Sequence, residues 1–408
     1  MSRTRTLLAL ATSAALLPVL ASAPASAAEP RRKVETWSTP GATAITITGH
    51  GYGHGHGLSQ YGAQGAALQG LGWQQIVEFY YPGTTWTRLR GKVRVLITAD
   101  TGRDVQVLAQ PGTRVTSLST GRTRALPSGS ARRWRLVGAG GDTVVQRSAA
   151  GGWRTWRTVR GEAELSSTSG PLTLVTPAGR HRYRGSLQSV AGRDGKRQTV
   201  NRLGLEAYLR GVVPQEVPAL WQPAAVSAQS VAARTYAAFE RSHPAAGHYD
   251  LCDTSQCQVY GGVDAEHPAA TEAIRATAQQ GLSYDGRPAF TQFSASNGGW
   301  SSAGSMPYLV AQPDPYDGVD NPRWATWTAT VDDARIEAQW PQVGDLTGIE
   351  VTSRDGNGEW GGRVTDMAFT GTAGSVRVDG DTVRSALGLS SDWFTFSVTP
   401  RQQGRVRP

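Results

Sequence analysis

Cysteine is nearly absent from this chain: 408 residues hold two, Cys252 and Cys257. At most one internal bridge is available, so a disulfide-knit scaffold is excluded. Long apolar runs are also scarce. Beyond the first 27 residues none is apolar enough to span a membrane. No cysteine stands near residue 27 to carry lipid. No G-x-S-x-G elbow surrounds Ser294, which argues against a hydrolase nucleophile there. Acids are outnumbered, with 32 Asp and Glu against 41 Lys and Arg, a formal charge of +9.

What is present begins with a targeting pattern. Arg3 and Arg5 precede an apolar run from Leu7 to Leu20, and Ala25-Ser26-Ala27 reads as a cleavage site. Residues 1–27 are expected to be removed, leaving about +7 on the mature chain. The prediction is a secreted or cell-wall protein with no transmembrane segment after processing. Positive charge on an exported protein suits an anionic polymer, and export argues against nucleic acid. Residues 28–42 are polar with scattered proline and read as a linker. Residues 400–408 read as a disordered basic tail.

Thr43 to Thr48 alternates as a strand. Glycines at 49, 51, 53, 55 and 57 then forbid regular structure and let backbone approach a ligand. His50, His54 and His56 project from that loop, and Ser59 suits a helix N-cap. From Lys92 to about Val200 short alternating or apolar runs separated by Gly and Pro predict strands. Glu266 to Gln280 reads as a helix. The chemistry-bearing stretch is Val212 to Glu240. Pro214 and Pro218 bracket Gln215, Glu216 and Val217, which predicts a stiff, non-helical turn carrying Glu216. Pro223 suits the first turn of a long alanine-rich helix in which Gln229 and Arg234 are the polar residues of a buried face.

VVPQEVP followed by AQSVAARTYA resembles the signature of the SpoIID/LytB family of cell-wall proteins. GYGHGHGLSQYGAQGAAL with FYYPGT, CQVYGG and FSASNGG resemble further blocks of that family. Most members place the GHG block last, whereas here it comes first. The resemblance implies an α+β fold: a SpoIID-like catalytic domain, circularly permuted, with a β-rich inserted lobe at about 100–185. Residues 43–90 are expected to form the permuted part, 91–310 the core and 311–399 the C-terminal part of that domain.

The resemblance makes Glu216 the acid/base of a lytic transglycosylase cutting peptidoglycan between N-acetylmuramic acid and N-acetylglucosamine. It assigns glycan contacts to His54, His56, Gln60, Gln229, Arg234, Gln258, Tyr260, Ser294, Ser296 and Gly298. Glycosidases usually deploy two carboxylates. Glu206 and Glu240 flank the motif without one of their own, so a single acid is the expectation. Other members enhance a cell-wall amidase without cutting glycan, and a plain glycan-binding module is a third reading. Cys252 and Cys257, close together in an exported chain, suggest a disulfide. Some family members hold zinc at this place, but His248, Cys252 and Cys257 are one ligand short of a closed site. No metal or other cofactor is assigned.

Overall fold

A computed structural model describes residues 34–400 apart from 40, 42, 128, 130, 193, 194 and 322. The targeting segment, most of the predicted linker and residues 401–408 of the tail lie outside the described residues. The architecture is α+β. Its helices are α1 (Gln60–Leu68), α2 (Trp73–Tyr80), α3 (Leu205–Glu216), α4 (Pro223–Ser242), α5 (Pro268–Ala276), α6 (Asp333–Gln339) and α7 (Gly380–Leu387). None is long and apolar enough to cross a membrane.

The alanine-rich stretch becomes α4, with Pro223 in its first turn as expected. Two of its faces are buried. Ala225, Ala228 and Ala232 join Leu58, Ile76, Val77 and Tyr80 in one apolar cluster. Val226, Ala233 and Ala237 join Leu203, Tyr208 and Val212 in another. Small side chains let neighbouring helices close on both faces. α1 and α2 meet α4 in the first cluster, and α3 and α5 meet it in the second.

The second cluster continues into the β-rich part, where two largely antiparallel sheets share one core. One runs Gly152–Val159, Asp142–Ala149, Arg133–Ala139, Asp104–Leu108, Leu172–Thr176, Gly179–Tyr183 in spatial order. The other is centred on Lys92–Leu96, Arg197–Gly204, Ser186–Ala191 and Ala163–Ser167. Alternation places Val105, Val107, Trp134, Leu136 and Val145 inside from the first sheet, and Val93, Val95, Leu165 and Leu187 from the second.

A third cluster is built by both ends of the described chain. Thr43–Gly49 lies between Trp327–Asp332 and Phe394–Pro400, antiparallel to each. The expected neighbourhood of residues 43–48 and the strand after Trp393 is therefore present. Ile45 and Ile47 are fully buried between these strands. Ile76 and Val77 are buried as well, while Phe79 is half-buried.

Three expectations are corrected. Glu35–Ser38, inside the predicted linker, is a strand paired with Leu346–Arg354. Four residues with one aromatic carry too little pattern to announce it. Trp37 packs edge-on against Phe396, and Glu35 pairs with Arg354 at 2.8 Å. The helix read over 266–280 is only Pro268–Ala276. Gln279 takes a positive φ of 64°, which breaks the helix before the strand Gln280–Tyr284. The turn predicted at Glu216 is also wrong, and it bears on the site.

Candidate active site

Glu216 is the last residue of α3, not part of a loop. Pro214 sits inside the final turn. There a missing N–H costs one bond just before the helix ends, so helix continuation prevails over the extended bias on Val213. The bias does hold at Val217, which is extended (φ −135°, ψ 149°) ahead of Pro218. The chain turns away there, and Glu216 is left facing a cleft of about 640 Å³.

Elements from distant parts of the chain supply the cleft wall. The glycine-histidine loop gives Tyr52 and His54, α1 gives Gln60, α4 gives Tyr236, and the strand Phe293–Ser294 gives Ser294. Gly53 takes φ +102°, and a Cβ there would meet the Ser294 Cβ at 2.9 Å, so only glycine lets the loop lie on this strand. Arg384, from α7, closes one side, and its Nε donates to Asp381 at 2.9 Å.

The Glu216 carboxylate accepts the Val259 N–H at 3.0 Å and bonds the Gln60 side chain. Burial pushes its pKa above the ordinary glutamate value, and these two bonds draw it partly back. Among the described residues no other carboxylate lines the cleft. Glu206 is occupied by Arg234, and Glu240 lies beside Tyr236 and His243.

His54 Nδ1 accepts the His56 N–H at 3.0 Å, which leaves Nε2 as the protonated nitrogen of a neutral ring. Burial first, then the positive charge of His56, Arg363 and Arg384, brings its pKa down to about 3. The unfolded chain takes up a proton near the ordinary value of 6.5, whereas the folded one waits until about 3. This histidine therefore stabilises the fold fully above pH 6.5, and that contribution is lost as pH falls through the window. We expect His54→Gln, whose amide can also accept the His56 N–H, to narrow the loss of stability between pH 7 and pH 5. Urea midpoints of both proteins at the two pH values measure it. Equal losses would refute a neutral His54.

The structure gathers Glu216, His54, Gln60 and Ser294 and separates the other expected contacts from them. Arg234 is fully buried, and Glu206 holds its guanidinium at 2.8 and 2.9 Å. It also donates to the carbonyls of Ile274 and Gln280, so it ties α4 to α3 and α5. Gln229 is buried in α4, Gln258 accepts from Tyr208, and the Tyr260 hydroxyl donates to Asn201. His56 stacks on His54 from behind the cleft wall. Ser296 donates to Asp317 at 2.6 Å, and the Gly298 N–H donates to the same carboxylate at 2.7 Å. Six of these seven are engaged by the scaffold, and the seventh, Gln229, has a buried amide with no hydrogen-bond partner among the described residues.

Asp314 and Asp317 escaped the sequence reading, since nothing in AQPDPYDG marks them. Asp317 accepts from Ser59, the α1 cap, at 2.6 Å, and Asp314 accepts from Tyr80 at 2.7 Å. Burial and the neighbouring Asp317 raise Asp314 to about 6. Tyr52 was also missed: it is exposed beside the cleft and packs on Trp324 with centroids 4.3 Å apart.

Cys252 and Cys257 are joined, with Cα atoms 5.5 Å apart. His248 faces Gln198. The bridge closes the loop whose Ser255, Gln256 and Cys257 line the cleft, two residues before the N–H that holds Glu216. Mass analysis should show alkylation of two thiols only after reduction. Two free thiols in the untreated protein would contradict the bridge.

The profile of the SpoIID family, described as Stage II sporulation protein, matches residues 193–284, the span that holds α3, Glu216, α4 and the disulfide loop. The match to the SpoIID family is thus confined to this span, and relatives described as an amidase enhancer and as Stage II sporulation protein D extend the similarity. An amidase enhancer of Bacillus subtilis is 34% identical over 137 residues, 32% of this chain and 18% of that protein. A Stage II sporulation protein D of Bacillus amyloliquefaciens is 28% identical over 223 residues, 48% of this chain and 61% of that protein. An uncharacterized protein of Brachyspira hyodysenteriae is 34% identical over 132 residues, 32% of this chain and 36% of that protein. The chain thus spans less than two thirds of the length of each of these relatives.

Proposed function

We propose that this protein is a secreted lytic transglycosylase that cuts peptidoglycan glycan strands at the cell wall, with Glu216 as both acid and base. The observation that carries this reading is a single desolvated carboxylate in the cleft wall. Hydrolysis of a glycosidic bond ordinarily needs a second carboxylate to direct water or attack the sugar. An intramolecular attack does not. Protonated Glu216 gives its proton to the oxygen bridging N-acetylmuramic acid and N-acetylglucosamine, and the bond to C1 breaks. The resulting carboxylate takes the proton of the muramyl C6 hydroxyl as that oxygen bonds to C1. One sugar end leaves as a hydroxyl, the other as a 1,6-anhydro ring, and Glu216 returns to its protonated state.

His54, as a neutral Nε2–H donor, Gln60 and Ser294 would orient the strand, and Tyr52 offers a ring face to a sugar. The family block that usually comes last is supplied by residues 43–90 through circular permutation. This is supported by the pairing of Thr43–Gly49 with Phe394–Pro400, whose adjoining ends an unpermuted chain would connect. The test is digestion of purified, peptide-free glycan with mass analysis of the new ends. Anhydro ends are expected, and reducing ends or intact strands would refute the reading.

One comparison favours a second role. The relative described as an amidase enhancer suggests a partner amidase for this chain also. Acceleration of an added cell-wall amidase, with glycan left intact, would select that role over cleavage.

A further inference from the structure

The β-rich sheets contain a charge pattern that the cleft chemistry leaves unexplained. Between residues 132 and 160 seven arginines stand against one acid, Asp142. All seven lie in or beside the meander Arg133–Ala139, Asp142–Ala149, Gly152–Val159. The last of these strands is the edge of its sheet. Arg135 pairs with Asp104 at 2.9 Å. The other six have no carboxylate within ion-pair distance among the described residues, and Arg132, Arg147, Arg154, Arg157 and Arg160 are exposed.

Two arginines are set against each other. Arg147 and Arg154 are direct cross-strand partners, a placement in which like charges repel. Aromatic rings lie between the cations. Arg135 stacks 4.3 Å above Trp153, and Arg157 lies 5.5 Å above Trp156, which packs edge-on against buried Trp134. These contacts hold two of the guanidinium groups in place. One or two charges keep an exposed edge from pairing with another chain. Six unpaired cations in or beside three strands, two of them face to face, exceed that need.

We propose that this edge is a docking surface for a linear phosphodiester polymer of the cell wall, of the poly(glycerol phosphate) type. Arg154 and Arg157 lie on this edge strand on either side of a register shift, and Arg160 follows just past its end. Cations spread along an edge in this way match a linear polyanion better than a compact ligand. A phosphodiester presents two free oxygens, one for each arginine of the Arg147–Arg154 pair, and so turns their repulsion into shared attraction. A carboxylate tends to take a single guanidinium fork. Nucleic acid offers the same phosphodiester, but the targeting segment directs this chain away from it. Docking here would tether the enzyme to the wall without occupying the Glu216 cleft.

The test compares the full mature chain with the triple variant Arg147→Gln, Arg154→Gln, Arg157→Gln. Both are bound to glycan bearing poly(glycerol phosphate), to the same glycan with that polymer stripped off, and to duplex DNA of matched charge. The wild type should bind the phosphate-bearing glycan and release it with salt, and stripped glycan should hold both proteins weakly and alike. The variant should bind roughly tenfold more weakly. The slope of log K against log salt should fall by about two for three lost contacts. Unfolding midpoints and cleavage of short soluble glycan should be equal, which separates loss of docking from loss of fold or catalysis. Equal binding by variant and wild type would overturn the proposal. So would undiminished binding to stripped glycan, or a preference for DNA over the wall polymer.

Discussion

Glu216→Gln should yield no detectable anhydro-ended fragments from peptide-free glycan, a loss of at least about 10²–10⁴-fold if only proton transfer is removed. The amide keeps the size of the side chain and can still accept the Val259 N–H. It cannot donate a proton as an acid or take one from the C6 hydroxyl. The variant should also be more stable than the wild type at pH 7, and the sign follows from linkage. Burial raises the folded pKa of Glu216, so between the unfolded and folded values the native protein holds more protons. Stability from this group is therefore greatest at low pH and falls as pH rises through that window. A neutral amide removes the penalty. A higher unfolding midpoint with no cleavage would place Glu216 in the chemistry. A variant that still releases anhydro ends would take it out. In the wild type, kcat/KM should fall as pH rises through a value above the ordinary glutamate range.

Much of this site is legible in the sequence because its positions depend on local rules. Pro223 marks the start of α4, Ser59 caps α1 and accepts the Gly62 N–H at 3.0 Å, and alternating residues reveal the β-rich sheets. Glu216 stands out because two prolines and a long motif surround it. What misleads is polarity. Arg234, Gln258 and Ser296 are the residue types a sugar site uses, but the same types satisfy buried donors and acceptors. Only the fold reveals that Arg234 is already held by Glu206 and Ser296 by Asp317. Arg384 and Tyr52 reach the cleft from distant parts of the chain, so no spacing could have joined them to Glu216. Pro214 shows the limit of a local rule: at the end of a helix its penalty is small enough for packing around Val212 and Val213 to prevail.

Deletion of residues 34–90 should unfold the protein, not detach it from a ligand. The block supplies the central strand of a three-stranded sheet and one wall of the α4 cluster. Ile45, Ile47, Leu58, Ile76, Val77, Tyr80 and Tyr81 are each at most 2% exposed. At roughly 1.5–3 kcal/mol apiece their burial exceeds or matches the 5–15 kcal/mol by which a domain is usually stable. The deletion would also leave Asp314 and Asp317 buried without Tyr80 and Ser59, their donors from this block. Relocation provides the stronger comparison. Thr43 pairs directly with Pro400, so a short turn can connect the end of one strand to the start of the other. The exposed Arg90–Gly91 bond offers a place for the new terminus. A chain that begins at Gly91 and carries 43–90 after residue 400 should fold and cut glycan. Its melting temperature should be somewhat lower, since it lacks the Trp37 contact and the Glu35–Arg354 pair. Cooperative melting and cleavage by the simple deletion would show that the block is dispensable. Failure of the relocated chain alone would show that the order of the segments matters as well as their place.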